Sequence, residues 1–284
     1  MNRILSWQLF LEELVGEKPI SNYDQYIAGM NTTMSDKLFF VDEVRFDVIV
    51  DFGCADGSFL QSLSKMKPNV KIIGYDLDPT MLEIARRKLG DNALLTDNWN
   101  EVISELSGYK NPLLNLSSVI HEVYSYSNSR VISYFWSGQV FGGNFKYISI
   151  RDMIPSVTLT RNEINNFKED AKKLRRKADK NFLLSFEDTW GSINSDYRSF
   201  IHFLLKYKYT ENWEREVNEN YLPITLETLK TKIPSSYAIT YEDDFILPYL
   251  KSEVKKDFNI ELTHSTHAKL IITNKSFKNE IKKV

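Results

Sequence analysis

The residues best suited to chemistry stand at the ends of short apolar runs. His121-Glu122 follows the run Pro112 to Val119, and Arg151-Asp152 follows the run Phe145 to Ile150. An imidazole titrates near neutrality and a positioned carboxylate can take a proton, so His121 and Glu122 are candidates for handling an acceptor's proton. Asp152 is the candidate for orienting an acceptor, and Arg151 for binding a substrate anion. A plainer account also fits. His121-Glu122 then opens a helix as ordinary polar residues, and Arg151 pairs with Asp152 or caps the next segment. A third set is spaced as a bend: Asp51, Gly53, Ala55 and Gly57 lie together, and Asp76-Leu77 ends the next apolar run. A carboxylate at a strand end can accept hydrogen bonds from both ribose hydroxyls of a nucleoside.

These residues need a parallel-sheet scaffold. Val48 to Val50 is a β-branched run of the kind that forms a buried parallel strand. Gly53 and Gly57 bracket a tight turn, where positive φ is cheap and a ligand can approach the backbone. Ser58 to Met66 carries Phe59, Leu60, Leu63 and Met66 at helical spacing, and Pro68 stops it. Lys71 to Tyr75 reads as the next strand. Asp78 caps a helix with Pro79 in its first turn, Met81, Leu82, Ala85 and Leu89 on one face, and Gly90 as its stop. Ala93 to Thr96 is a third strand, followed by Asp97-Asn98, which also reads as a simple turn opening. The fourth strand spans Pro112 to Val119 and brings Asn115, Ser117 and Ser118 near its carboxyl end. In an open α/β sheet that end faces the ligand crevice.

The pair of motifs DFGCADGS and GYDLDPTML resembles the class I S-adenosylmethionine-dependent methyltransferases. The resemblance implies a doubly wound, seven-stranded, mostly parallel α/β sheet in the order 3-2-1-4-5-7-6, with S-adenosyl-L-methionine as cofactor. By this resemblance Asp51, Gly53, Ala55 and Gly57 shape the methionine pocket, Asp76 with Leu77 holds the ribose, and Asp97 with Asn98 meets the adenine. Ser117, with Asn115 and Ser118, would line the methionine or methyl-donor region. Methyl transfer is an in-line displacement on a sulfonium carbon, so proximity and orientation are its main needs. The resemblance covers about Phe46 to Asp152 and Thr225 to Asn274. A nicotinamide oxidoreductase is the competing reading of a glycine bend, but it wants G-x-G-x-x-G. This chain has G-x-x-x-G, with Ala55 at the second glycine position and Asp56 where a diphosphate would lie.

The organisation expected is a helical arm over 1–45, a cofactor-binding core over 46–154, a helical insertion over 155–222, and the rest of the sheet over 223–284. In the arm, Ile4, Trp7, Leu11, Leu14 and Val15 form a helical stripe. Tyr26 and Lys37 are candidates for the mouth of the cofactor or substrate site, or simply pack and solvate a covering helix. In the insertion, Thr160-x-x-Glu163 is a capping-box signature, and Ile164, Phe167, Ala171, Leu174 and Ala178 keep helical spacing. From Lys168 to Lys180 basic residues outnumber acidic ones seven to three. Such a run is usually a solvated face, and its sharper reading is an RNA- or DNA-phosphate edge. Phe182 to Trp190 is ambiguous, whereas Ser199 to Tyr209 and Glu211 to Glu219 read as helices, with His202 a packed helix residue. A helix from Thr225 to Lys232, a strand around Tyr237 to Tyr241, a helix over Leu247 to Asp257 and a strand His267 to Asn274 close the chain.

Composition bounds the function. The chain has 284 residues, 42% of them hydrophobic and 26% charged, which are globular values. A net charge of −2 excludes a whole-surface nucleic-acid field but permits a local basic patch. The single cysteine, Cys54, excludes an intramolecular disulfide and a cysteine-based zinc cage. With no apolar run of membrane-spanning length and no signal-peptide core, a soluble, cytoplasmic protein is expected, with a methyl acceptor as partner and no membrane. His121, Glu122, His264 and His267 can in principle form a carboxylate–imidazole metal site. The glutamate–histidine cluster of small-RNA 2′-O-methyltransferases is not reproduced, however, and no metal is expected. The alternative to an enzyme is a non-catalytic nucleic-acid-binding module on the same fold, which predicts a degenerate cofactor crevice.

Overall fold

The computed structural model describes residues 34–156 and 167–277. Tyr26, the arm stripe and the capping box at Thr160 and Glu163 lie outside the described residues. A short helix α1 (Met34–Lys37) leads to strand β1 (Val48–Phe52), helix α2 (Ser58–Met66), β2 (Lys71–Tyr75), α3 (Pro79–Leu89), β3 (Ala93–Thr96), α4 (Trp99–Glu105) and β4 (Pro112–Ser117). Helices α5 (Ile120–Tyr126) and α6 (Ser129–Tyr134) follow, and α6 runs into a π-helical turn (Phe135–Val140) before β5 (Tyr147–Asp152).

Helices α7 (Phe167–Lys177), α8 (Lys180–Trp190), α9 (Tyr197–Lys206) and the single turn α10 (Trp213–Glu216) form the insertion; then come α11 (Leu226–Lys232), β6 (Tyr237–Phe245), α12 (Pro248–Phe258) and β7 (His267–Asn274). The seven strands lie in the order β3-β2-β1-β4-β5-β7-β6, with β7 antiparallel to both neighbours. This is the doubly wound sheet expected from the motifs.

The apolar runs are strands buried on both faces. Val48 and Val50 enter one core with Ile73, Leu114, Leu116 and Ile148, while Ile49 points to the other face with Leu60, Leu63, Leu82 and Ala85 of α2 and α3. Two covered faces explain why the runs are continuous rather than alternating. The edge strand β6 exposes Glu242, Asp243 and Asp244, charges that deter further strand pairing. A third cluster gathers Phe186, Phe200, Leu204 and Trp213 from the insertion with Leu250, Val254 and Phe258 of α12. The segment after β6 therefore packs on the insertion before the chain returns to the sheet.

Several boundaries differ from expectation, three of them beside the site. Strand β5 extends through Asp152, so Arg151 and Asp152 stand in the ladder, paired in register with Lys269 and Ala268 of β7. Strand β4 stops at Ser117, because Ser118 takes a positive φ of 57° and turns the chain into α5. The helix expected over Glu211 to Glu219 is one α-turn flanked by tighter turns, with Asn218 N–H donating to Arg215 O at 3.1 Å and Glu219 N–H to Glu216 O at 3.2 Å. The Lys206 ammonium donates to the carbonyls of Glu216 and Glu219 and ends the segment there.

The bend after β1 passes through left-handed backbone at Gly53 (φ 76°), Ala55 (φ 46°) and Gly57 (φ 74°). A Cβ on Gly57 would sit 3.0 Å from both Ala85 Cβ and Leu89 Cδ1. Gly57→Ala is therefore expected to destabilise the fold by about 1–2 kcal/mol or more, since a left-handed conformation alone costs that much in an L-residue. Urea denaturation measures it, and an unchanged midpoint would remove the conformational argument.

Candidate active site

The first loop is tied to the end of β2. Gly53 and Cys54 N–H both donate to Tyr75 O, at 2.8 and 3.0 Å. Ala55 N–H donates to Asp76 Oδ2 at 2.8 Å and Asp78 N–H to Oδ1 at 2.9 Å. Asp76 therefore locks the glycine bend and its own turn at once. A Cβ on Gly53 would meet Val119 Cγ2 at 2.8 Å, so this glycine serves chain packing as well as the bend. The glycines were expected to clear space for a ligand; their nearest constraints are the protein's own residues.

Asp56 does not face the bend as a bare charge. It is buried, accepts from Ser58 Oγ at 2.6 Å, and pairs with the Lys88 ammonium of α3. The electrostatic objection to a dinucleotide that Asp56 raised in the sequence is therefore weakened, and the glycine spacing alone distinguishes the two loops.

A polar row crosses the sheet above the core. Asp51, Asn115 and Ser149 are register partners on β1, β4 and β5, and Asn115 Nδ2 donates to Asp51 Oδ1 at 2.8 Å. Burial pushes the Asp51 carboxyl up to about 7 and the Asp76 charge adds to this, while the Asn115 bond and Lys37 oppose it. Two residues further along the strands, Ser117 pairs in register with Arg151. Arg151 Nε donates to Asp36 Oδ2 at 2.9 Å and Nη1 to Ser118 Oγ at 3.0 Å. Asp36 also pairs with Lys269. Lys37, on the same short helix, is buried, and burial with repulsion from Arg151 lowers its ammonium to about 8 against attraction from Asp51, Asp56 and Asp152. Four polar atoms of this crest are buried without a hydrogen-bond partner: Asn115 Oδ1, Ser117 Oγ, Ser149 Oγ and Arg151 Nη2. Buried polar atoms rarely stay unpaired, and a ligand is one standard reason that they do.

His121, Glu122 and Asp152 are brought together as the sequence suggested. Asp152 Oδ1 accepts from Met153 N–H at 2.7 Å and meets His121 Nδ1 at 2.8 Å, while Oδ2 accepts from Ile120 N–H at 2.7 Å. Burial opposes a charged His121, yet the Asp152, Glu219 and Glu122 carboxylates outweigh it and raise its pKa. Burial would raise Asp152, but His121 and the two backbone donors hold it low.

Four residues not singled out in the sequence complete the cluster: Arg215, Glu216, Glu219 and Tyr126. His121 Nε2 stands 3.7 Å from Glu219 Oε2, and Arg215 Nη2 lies 2.9 Å from Glu122 Oε1 and 2.8 Å from Glu219 Oε1. Arg215 Nη1 adds Glu216 at 3.0 Å, and Tyr126 OH donates to Glu219 Oε1 at 2.9 Å. The only local signal was an i, i+4 Arg–Glu pair, which reads as a solvated helix face.

Ligand atoms of His121, Glu122 and Glu219 lie within 4.8 Å of one another, a spacing that suits a metal ion. The Arg215 guanidinium already bridges both carboxylates, so the cluster's charge is balanced within the protein. Neither His264 nor His267 joins that group: His267 Nδ1 meets Thr266 Oγ1 at 2.8 Å, and His264 packs on Tyr197.

The remaining candidates lie on the rim. Asp97 is exposed at the end of β3, and Leu77 is 37% exposed beside Asp76. Asn98 caps α4, its Oδ1 accepting from Asn100 N–H at 3.0 Å. The basic face of α7 is partly offset by ion pairs of Lys172 with Glu169, Lys173 with Asp170 and Arg175 with Glu187. His202 is buried against Phe186 and Trp190, a packed helix residue as expected.

Residues 49–110 match the family model described as a methyltransferase domain, and both sequence motifs fall inside that span. The chain is similar to malonyl-[acyl-carrier protein] O-methyltransferase 1 of Ilyobacter polytropus, with 38% identity over 89 residues, or 31% of either chain. It thus spans under a third of that curated relative's length. Among solved structures, the methyltransferase domain of bacterial CtHen1 is 13% identical, with 89% of this chain and 99% of that one covered and a TM-score of 0.47. The plantazolicin methyltransferase BamL, solved with SAH and a triazolic desmethylPZN analog, is 11% identical over 89% and 88% of the two chains, with a TM-score of 0.46. Structural likeness at that level carries no argument. The match over 49–110 and the strand order agree with the resemblance: that span is methyltransferase-like, and the sheet has the order that the resemblance implies.

Two outcomes test the site's electrostatics. Folded Asp51 keeps its proton up to about 7 against an ordinary 3.8, so the folded state binds more protons between these values and loses stability as pH rises through them. Asp51→Asn is expected to raise Tm above that of the intact protein at pH 8 and to converge with it near pH 4, read from thermal melts across that range. Arg215→Met leaves Glu122, Glu216 and Glu219 without their shared cation and is expected to cost about 3–5 kcal/mol in urea denaturation. Adding Glu219→Gln should recover part of the loss.

Proposed function

We propose that this protein transfers a methyl group from S-adenosyl-L-methionine to a small-molecule acceptor. The observation that carries the reading is the match over 49–110 together with Asp76, fixed at the end of β2 and bonded to the glycine bend. The orphaned polar atoms of the crest and the buried Asp51 beside them suit the zwitterionic end of the cofactor. Asp51, Gly53, Ala55 and Gly57 shape that end of the site, with Ser117 beside the methyl-donor region. Asp76 and Leu77 meet the ribose, and Asp97 and Asn98 the adenine.

The cofactor supplies an electrophilic methyl carbon on a sulfonium, and the protein's residues supply proximity and orientation. His121, Glu122 and Asp152 stand on the acceptor side. The Asp152 and Glu219 carboxylates favour the protonated ring of His121, which thereby positions the cluster that faces the acceptor. A carboxylate of the same cluster is the group suited to take a proton. An RNA acceptor is less well supported, since part of α7's basic charge is already offset by neighbouring acids. The position of Asp76 likewise favours the enzyme over a non-catalytic binding module.

Isothermal calorimetry tests the reading. The intact protein is expected to bind S-adenosyl-L-methionine, and Asp76→Ala to weaken binding by about ten- to a hundredfold, as expected for lost charge-assisted hydrogen bonds. No heat with the intact protein would overturn the proposal.

A further inference from the structure

A groove of about 670 Å³ lies between α6 with its π-helical turn and the end of α11, a size that suits a small molecule. It is remote from the crest. Pro234, on its rim, leads into β6, whose first residue Tyr237 pairs with Asn274. The neighbouring Thr273 pairs with Tyr147, the first residue of β5. This side of the groove therefore flanks the amino end of β5, whereas Asp152 stands at its carboxyl end. One wall is apolar. The turn Phe135–Val140 is π-helical, a conformation that is rare and frequent at functional sites. Phe141 N–H donates to Trp136 O at 2.9 Å, and a Cβ on Gly142 would stand 2.5 Å from Gly138 O, so glycine lets the chain close here. Phe141 is thereby stacked on Trp136, with centroids 6.0 Å and planes 25° apart, and Ile132 lies on the same wall.

The polar groups of the groove are donors. Trp136 Nε1 donates to Tyr124 OH at 3.1 Å, which leaves the phenol its own proton to give. Ser129 and Ser133, four residues apart on α6, add two exposed hydroxyls. Lys232 is half-buried on the opposite side. Its neighbour Lys230 pairs with Glu242, but Lys232 forms no ion pair among the described residues, and no acid lines the groove. We propose that this groove binds a small aromatic carboxylate, its ring against Phe141 and Trp136 and its charge at Lys232 and the Tyr124 and Ser133 hydroxyls. One ammonium balances one carboxylate, and the hydroxyls supply the remaining hydrogen bonds. The site is independent of the methyltransferase reading, because none of its residues is among the cofactor or acceptor candidates.

Calorimetry with 2-naphthoate and its neutral counterpart 2-naphthalenemethanol tests the site. The intact protein is expected to bind the acid about fivefold more tightly than the alcohol, as one partly exposed charge pair allows. Lys232→Met should remove that preference and leave the affinity for the alcohol unchanged. Ser133→Trp, which fills the groove from an exposed helix position, should abolish binding of both. Both variants are expected to keep the Tm of the intact protein and its affinity for S-adenosyl-L-methionine. No binding of naphthoate to the intact protein, equal binding of acid and alcohol, or full-strength binding of naphthoate in either variant overturns the proposal. So does competition between naphthoate and S-adenosyl-L-methionine, which would put the probe in the cofactor crevice. A dimer in sedimentation that Ser133→Trp dissociates, with no naphthoate bound, gives the groove to a second copy of the chain and overturns the small-molecule site as well. If the intact protein binds no S-adenosyl-L-methionine, the methyltransferase reading fails, and the naphthoate comparison still decides whether this site exists.

Discussion

The Asp152 carboxylate holds the end of the sheet, the start of α5 and the His121 ring in one arrangement. Its two oxygens take two backbone N–H groups and face Nδ1 of His121, so the chain cannot shift at either place without stranding a buried charge. His121 in turn faces Glu219, and Glu219 faces Arg215, so the same carboxylate indirectly registers the insertion against the core. A buried network of this kind is a weak source of net stability but a demanding one geometrically, because every member must be satisfied together. The insertion is thereby tied to this end of the sheet by charge as well as by its aromatic core.

Asp76 plays a parallel part on the other half of the crest. It accepts from the glycine bend and from its own turn, so the two loops that would touch a nucleoside are positioned by one side chain. Between these two acids lies the polar row of Asp51, Asn115 and Ser149. The row is buried, at Asp51 one residue before the end of β1 and at Asn115 and Ser149 in mid-strand; four of the five buried side-chain atoms without a hydrogen-bond partner among the described residues belong to it or to Ser117 and Arg151 two positions further along.

Much of this was legible in the chain. The runs at Val48, Lys71, Ala93 and His267 became strands at the expected positions, because a strand covered on both faces needs an unbroken apolar stretch that local composition displays. Asp78 and Gly90 ended their helix as read, since capping depends only on residues a turn away. The readings that failed were of another kind. Glu211 to Glu219 carries a helical pattern, yet Lys206 takes its carbonyls and the segment tightens into turns. Asp56 looked like an unshielded charge until Lys88 was found beside it.

By itself the sequence determined the alternation of strands and helices, the left-handed bend between β1 and α2, and the acids that end β2 and follow β3. Each depends on the covalent neighbourhood: on β-branched runs, on glycine's freedom at positive φ, and on caps within one turn. Tertiary structure alone decided that Arg215 meets Glu122 across 93 positions of chain, that Lys37 is buried beside Asp51 and Arg151, and that His121 is held between two carboxylates. Those meetings depend on how whole elements dock, and side-chain periodicity along one element carries no information about which charge waits on the next.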